Sequence, residues 1–188
     1  MLFRSLAAAA ITGGEVRVEG VGANALQGDA RFADLLEAMG CEVVRDRNAT
    51  TVSRRGALRG IDVDMSDVSD LVPTIAVVAA FAASPTRITG VGFIRRKESD
   101  RIGDVVGGLR SIGCGAEENE DGLTIVPGDP SSYRGTIMRV HDDHRLAMSW
   151  SLLALVVPGI LVDEPEVVSK SWPDWWHVRS DLLSSVNR

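Results

Sequence analysis

The sequence has little of what would mark several large classes of protein. It carries two cysteines and three histidines in 188 residues. No CxxC pair or Cys/His cluster surrounds them, which argues against a zinc site. Cys41 and Cys114 allow one disulfide at most, and two buried, reduced thiols are the expected state. There is no excess of positive charge: 20 Lys and Arg against 26 Asp and Glu leave a formal charge of -6. That balance argues against a nucleic-acid partner, which requires a basic face. The longest apolar runs, near Ile75 to Ala83 and Leu152 to Val157, are too short to cross a bilayer. The stretch Leu2 to Ile11 is apolar but contains Arg4 and leads into Gly13-Gly14 without a small-residue cleavage pattern. It reads as a helix with a glycine stop rather than a signal peptide, and a cytoplasmic location is expected.

What is present is an internal repeat in an ordinary globular composition, 45% hydrophobic and 24% charged. Ala7 to Gly14 is an apolar helix with its stop, followed by a strand at Val16-Arg17-Val18 and then Gly20-Val21-Gly22. The same order returns with an apolar helix from Ile75 to Ala83, a Ser84-Pro85 stop, Arg87-Ile88-Thr89 and Gly90-Val91-Gly92. Amphipathic helices follow at Ala30 to Met39 and at Ile102 to Ile112, ending on Gly40-Cys41 and Gly113-Cys114. Strand pairs come next, Glu42 to Arg45 with Thr50 to Ser53, and Ala116 to Glu118 with Leu123 to Val126. In the second pair, Asp121-Gly122 is expected at the turn.

A third unit begins near His144, with an apolar helix Leu146 to Val157, a strand Ile160-Leu161-Val162 and an amphipathic helix Trp172 to Val186. Its closing strand pair does not follow. The expected fold is therefore a single α/β domain over residues 1–188, with units of about 1–66, 67–142 and 143–188. Helices that are apolar nearly all round belong inside it, with the sheets outside. An unfinished unit leaves a sheet edge open, so completion by other polypeptide, or self-association through that edge, is expected.

The polar residues that could carry chemistry stand where helices begin. Arg95-Arg96-Lys97-Glu98-Ser99-Asp100-Arg101 precedes the second amphipathic helix. A helix starting near Lys97 would put Lys97 and Arg101 on one face, with Glu98 three residues from Arg101. Cations there oppose the helix dipole unless an anion binds; a solvated, salt-bridged first turn is the plain alternative. His141-Asp142-Asp143-His144-Arg145 opens the third apolar helix, with Asp142 or Asp143 available as its cap. Asp70 precedes the second apolar helix as either a cap or a carboxylate aimed at a substrate hydroxyl. Lys170 precedes the last helix. No serine or cysteine stands in a nucleophile-elbow setting, so a hydrolase triad is discounted. Two arginines, two lysines and a glutamate at one mouth would suit a small, multiply anionic substrate.

In order and spacing, Leu26-Gln27-Gly28-Asp29, Asp64-Met65-Ser66-Asp67 with Asp70, Lys97-Glu98-Ser99-Asp100-Arg101, Asp143-His144-Arg145-Leu146-Ala147-Met148 and Lys170-Ser171-Trp172-Pro173 resemble the successive signatures of the EPSP synthases (3-phosphoshikimate 1-carboxyvinyltransferases). The resemblance spans essentially the whole chain. It implies the enolpyruvyl transferase fold, an inside-out α/β architecture of βαβαββ-type repeats. It also implies transfer of enolpyruvate from phosphoenolpyruvate to the 5-hydroxyl of shikimate 3-phosphate through a tetrahedral ketal, in the shikimate pathway, with no metal or organic cofactor.

By the same resemblance, Asp70 holds the shikimate hydroxyls and acts as base, and Lys97 contacts that substrate. Glu98 exchanges a proton at the methylene carbon of phosphoenolpyruvate, and Lys170 assists as acid–base and contacts phosphoenolpyruvate. Arg101 and Arg145 clamp its carboxylate and phosphate, supported by His144. Two positions depart from the family pattern: Phe93 stands where a polar residue is frequent, and Ala25 where a serine is. An N-terminal domain completing the active site is not in the chain, so the chain alone is expected to be inactive or very weak. The alternatives are a non-catalytic half that assembles with a separate N-terminal half, or another enolpyruvyl transferase such as the UDP-N-acetylglucosamine enzyme.

Overall fold

Three helices with almost no solvent-facing side meet in the interior. In the computed structural model, which describes residues 4–23 and 31–186, they are α1 (Arg4–Thr12), α3 (Val72–Ala79) and α5 (His144–Leu153). All eight residues of α3 are buried, and so are Leu146 through Leu153 of α5. Each large aliphatic side chain so buried contributes about 1.5–3 kcal/mol relative to an exposed one. Between these helices, Thr74 of α3 and Ser149 of α5 share a hydroxyl–hydroxyl hydrogen bond of 3.0 Å. The signature Leu26-Gln27-Gly28-Asp29, like Ala25, lies outside the described residues.

The sheets lie outside this helical core. β1 (Glu15–Glu19), β2 (Glu42–Arg45) and β3 (Ala49–Ser53) form an antiparallel sheet in the order β1-β3-β2. β4 (Asp62–Asp64), β5 (Thr86–Thr89), β6 (Gly115–Asn119) and β7 (Gly122–Val126) form the second sheet, ordered β4-β5-β7-β6 with β4 parallel to β5. β8 (Ile137–Met138) and β9 (Leu161–Val162) form a parallel pair. Amphipathic α2 (Arg31–Ala38) and α4 (Arg101–Ser111) bury one face each. Both stretches end at a glycine with positive φ, Gly40 at 101° and Gly113 at 95°, a conformation that costs glycine no steric penalty. Cys41 and Cys114 follow as buried free thiols, and burial pushes Cys41 up to about 11.

Several boundaries differ from the sequence reading. α3 begins at Val72, because Pro73 fits the first turn where its missing N–H is not needed. It ends at Ala79 because Ala82 leaves to form a β-bridge with Leu58. α5 begins at His144, capped by Asp143, and finishes at Leu153 in tighter i→i−3 turns through Val156. The last helix, α6 (Trp175–Val186), starts three residues later than expected, after a 3-10 turn at Pro165–Lys170. In the β6–β7 hairpin Asn119 pairs with Gly122, so the two turn residues are Glu120 and Asp121 rather than Asp121 and Gly122. The carboxylate of Asp121 then accepts from the N–H groups of Gly90 and Gly92 at 2.9 and 3.0 Å.

Among the described residues, the parallel sheet of β8 and β9 has two strands, against four in the second sheet. Ile137 and Leu161 are register partners in it, and each is more than 60% exposed.

Candidate active site

α4 begins at Arg101, not near Lys97. Asp100 caps it by accepting from the N–H of Gly103 at 3.1 Å, and Lys97 has a non-helical backbone (φ -88°, ψ -143°). Lys97 and Arg101 therefore do not share a helical face. Arg95 lies before the helix, in the 3-10 turn Gly92–Arg96, and is paired with Asp100 at 3.1 Å and Glu118 at 2.6 Å. The expected conflict between cations and the helix dipole is thus largely removed. Arg101, the first helical residue, is instead directed inward and is fully buried.

Arg101 is surrounded by carboxylates. Its Nε donates to Asp143 Oδ2 at 2.6 Å, its Nη1 to Asp70 Oδ1 at 2.9 Å and its Nη2 to Glu98 Oε2. Arg145, in the first turn of α5, donates from Nη2 to Asp70 Oδ2 at 2.7 Å and from Nη1 to Glu98 Oε1 at 3.1 Å. The four groups close a ring in which two guanidiniums alternate with two carboxylates. Asp70 comes from the 3-10 turn Ser66–Leu71, Glu98 from the bend before α4, and Arg101 and Arg145 from the first turns of α4 and α5.

The ring has a dry side and a wet side. The side chains of Asp70 and Glu98 are 45% and 43% exposed, whereas Arg101 and Asp143 are 1% and 0% exposed. Asp143 uses both of its oxygens, one on Arg101 and the other accepting from the N–H of Arg145 at 2.8 Å as the cap of α5. Burial pushes the Asp70 carboxyl up, but Arg145 and Arg101 together outweigh it and hold it below the usual carboxylate range. For Arg101, burial lowers and the hydrogen bond and charge of Asp143, followed by Glu98 and Asp70, raise; the balance is upward. Counting Asp143, two positive charges face three negative ones, so the pair of arginines is already neutralised.

The remaining sequence candidates, His144, Lys170 and Lys97, are not part of this ring. Burial, reinforced by Arg145, lowers the pKa of His144. Lys170 pairs with the Asp142 carboxylate, and its Nζ lies 3.5 Å from the Asp142 carbonyl oxygen. Asp142 and His141 hold left-handed backbones, with φ of 60° and 49°. Lys97 lies with its Nζ 5.8 Å from the centroid of the Phe93 ring, so the side chain that departs from the family pattern has a cation partner here. Sequence alone does not decide between Asp142 and Asp143 as the cap of α5, nor does it show the pairing of Asp143 with Arg101, which joins residues 42 positions apart. In the sequence Arg4 is only a charge within an apolar run. Arg4 is buried, and its Nη2 donates to the carbonyl of Asp70 at 2.9 Å. A separate cleft of about 240 Å³, lined by Gly103, Asp104, Gly107, Met138, Arg139 and His141 among others, contains none of the ring residues.

The family profile of EPSP synthase (3-phosphoshikimate 1-carboxyvinyltransferase) matches residues 3–178. The chain belongs to the EPSP synthase family. The 3-phosphoshikimate 1-carboxyvinyltransferase of Methanoculleus marisnigri is 48% identical over 170 residues, covering 90% of this chain and 40% of the relative. That of Syntrophobacter fumaroxidans is 42% identical over 178 residues, covering 95% and 42%. Among solved structures, an EPSP synthase from Acinetobacter baumannii superimposes with a TM-score of 0.84 at 30% identity, over 96% of this chain and 44% of that one. The enolpyruvyl transferase NikO from Streptomyces tendae shares the fold at 24% identity, with a TM-score of 0.73 over 96% of this chain and 42% of that one. The enolpyruvyl transferase α/β fold expected from the sequence is therefore the fold observed. The chain spans about 40% of the length of these relatives.

Proposed function

We propose that this chain contributes the phosphoenolpyruvate-facing part of a 3-phosphoshikimate 1-carboxyvinyltransferase site. The parts of the relatives' length that it does not span would supply the other contacts to shikimate 3-phosphate. The observation that carries this reading is the ring of Arg101, Arg145, Asp70 and Glu98. It holds two planar cation forks, suited to a carboxylate and a phosphate, beside two carboxylates suited to proton transfer.

In the proposed reaction the anionic groups of phosphoenolpyruvate replace Asp70 and Glu98 on the guanidiniums. Glu98, released from the arginines, takes a proton from solvent and delivers it to the methylene carbon while the 5-hydroxyl oxygen of shikimate 3-phosphate bonds to the adjacent carbon. Asp70 accepts the hydroxyl proton. The ketal so formed then loses phosphate as its C–O bond breaks, and its methyl group returns a proton to Glu98, leaving the enolpyruvyl ether; the proton on Asp70 passes to solvent. Lys170 reaches phosphoenolpyruvate by exchanging Asp142 for it, and Lys97 turns from Phe93 toward shikimate 3-phosphate. His144 stays neutral beside Arg145, and no step requires a metal or organic cofactor. Catalysis depends on positioning, so without the remaining contacts the chain is expected to turn over very weakly.

Calorimetric titration of the chain with phosphoenolpyruvate, shikimate 3-phosphate and UDP-N-acetylglucosamine tests the reading. Heat of binding with the first two and none with the third is expected. Binding of UDP-N-acetylglucosamine alone would assign a different acceptor and overturn it.

A further inference from the structure

We propose that Asp143 is a positioning residue for both arginines: one buried carboxylate fixes the angle of the Arg101 guanidinium and the start of the helix that carries Arg145. The inference rests on the proposed anion-binding role of these arginines and adds to it the group that aligns them.

The geometry allows little else. Asp143 is completely buried and has two oxygens, each with a single partner from a different part of the chain. Oδ2 holds Arg101 at Nε, the atom about which the guanidinium fork turns, which leaves both terminal nitrogens directed at the ring. Oδ1 accepts from the backbone N–H of Arg145, so the first turn of α5 and the Arg145 stem are set by the same group. An arginine side chain loses rotamer entropy when an anion fixes it, and a partner at Nε removes much of that freedom before any ligand arrives. Asp70 and Glu98 cannot play this part, since both are half exposed and occupy the donors that an anion would take.

A positioning role and a merely electrostatic one predict opposite signs; a merely structural one shows as lost folding rather than as weaker binding by a folded variant. Removing a negative charge beside an anion site should strengthen anion binding if charge is all that Asp143 supplies. Removing the alignment should weaken it. Asp143→Asn separates the two: asparagine caps helices as well as aspartate does, but it keeps only one acceptor oxygen.

The test is phosphoenolpyruvate affinity of the chain, with the ¹⁵N resonance of Arg101 Nε as a second readout. For Asp143→Asn we expect a folded protein, a shifted or broadened Arg101 Nε signal and affinity about tenfold weaker, the loss of one charge-assisted hydrogen bond. Equal or tighter binding by the folded variant would overturn the proposal. If Asp143→Asn fails to fold, Asp143→Glu decides, because it keeps the charge and moves the oxygens. Weakened binding there supports positioning, and unchanged binding overturns it. Wild-type chain that binds no phosphoenolpyruvate, or an Arg145→Gln variant that binds as well as wild type, overturns the anion-site reading itself and the proposal with it.

Discussion

Arg101 and Arg145 have both of their shared partners in common: Asp70 bridges them with its two oxygens, and Glu98 does the same from its own position. Each carboxylate therefore stands where a ligand anion would make its own bridge. On the proposed reading, the anion site is held closed by the carboxylates of Asp70 and Glu98 until phosphoenolpyruvate competes them away.

Glu98→Gln should tighten phosphoenolpyruvate binding while abolishing proton transfer. The change removes one negative charge and weakens a bond to each arginine, so an affinity gain of about three- to tenfold is expected by calorimetry. Unchanged or weaker binding would mean that Glu98 supports the arginines rather than masking them.

Arg101→Met should be the most damaging single change at the ring. It leaves the fully buried Asp143 unpaired and takes from Asp70 and Glu98 their common partner. Breaking a buried pair in this way costs about 3–5 kcal/mol, read as a lower urea midpoint. Arg145→Gln, at a more exposed position, should cost clearly less stability while still removing anion binding.

Most of this ring is legible in the sequence. The repeat places residues 70, 98, 101 and 145 at element starts, and the family signatures name the same positions. What the sequence does not show is which contacts those residues make with each other. The amphipathic pattern from Ile102 to Ile112 gives the body of α4, but the Lys97 to Arg101 stretch before it is as compatible with helix as with turn, so sequence alone does not exclude a start near Lys97. The deciding signal, the bond from Gly103 N to Asp100, is a local capping contact that several acidic residues could have made. The Arg101–Asp143 pair is invisible because it joins chain segments 42 residues apart. The pairing of Lys170 with Asp142 rests on two successive left-handed residues, His141 and Asp142, that are not glycine and so give no sign of themselves.

Thermal stability should depend on pH in two separate windows. The pKa of His144 is lowered from 6.5 in the folded chain, so the unfolded state takes up its proton first. Stability is full above about 6.5 and declines as the pH falls below it. Asp70 is lowered from 3.8, so its contribution is present above that value and is lost as the pH falls through the lower folded-state value. His144→Gln should abolish the first decline and leave the second. A melting temperature that is flat between pH 7 and pH 5 in the wild-type chain would contradict this.

Ile137 and Leu161 lie side by side on the two-stranded sheet, and both are well exposed. Short sheets with apolar edges recruit further strands. Light scattering of the chain should show concentration-dependent association, and Ile137→Lys with Leu161→Lys should reduce it. A strictly monomeric wild-type chain would count against association through this edge.

The central claim is that this chain carries the phosphoenolpyruvate-facing chemistry and needs the rest of its relatives' length to use it. The most direct measurement is phosphate release from phosphoenolpyruvate and shikimate 3-phosphate, with the chain alone and with the part of the Methanoculleus marisnigri relative that this chain does not match added as a separate polypeptide. The account predicts negligible release alone and turnover with the added part, lost again in Glu98→Gln. Turnover by the chain alone at full rate, or restored turnover that Glu98→Gln leaves intact, would contradict it.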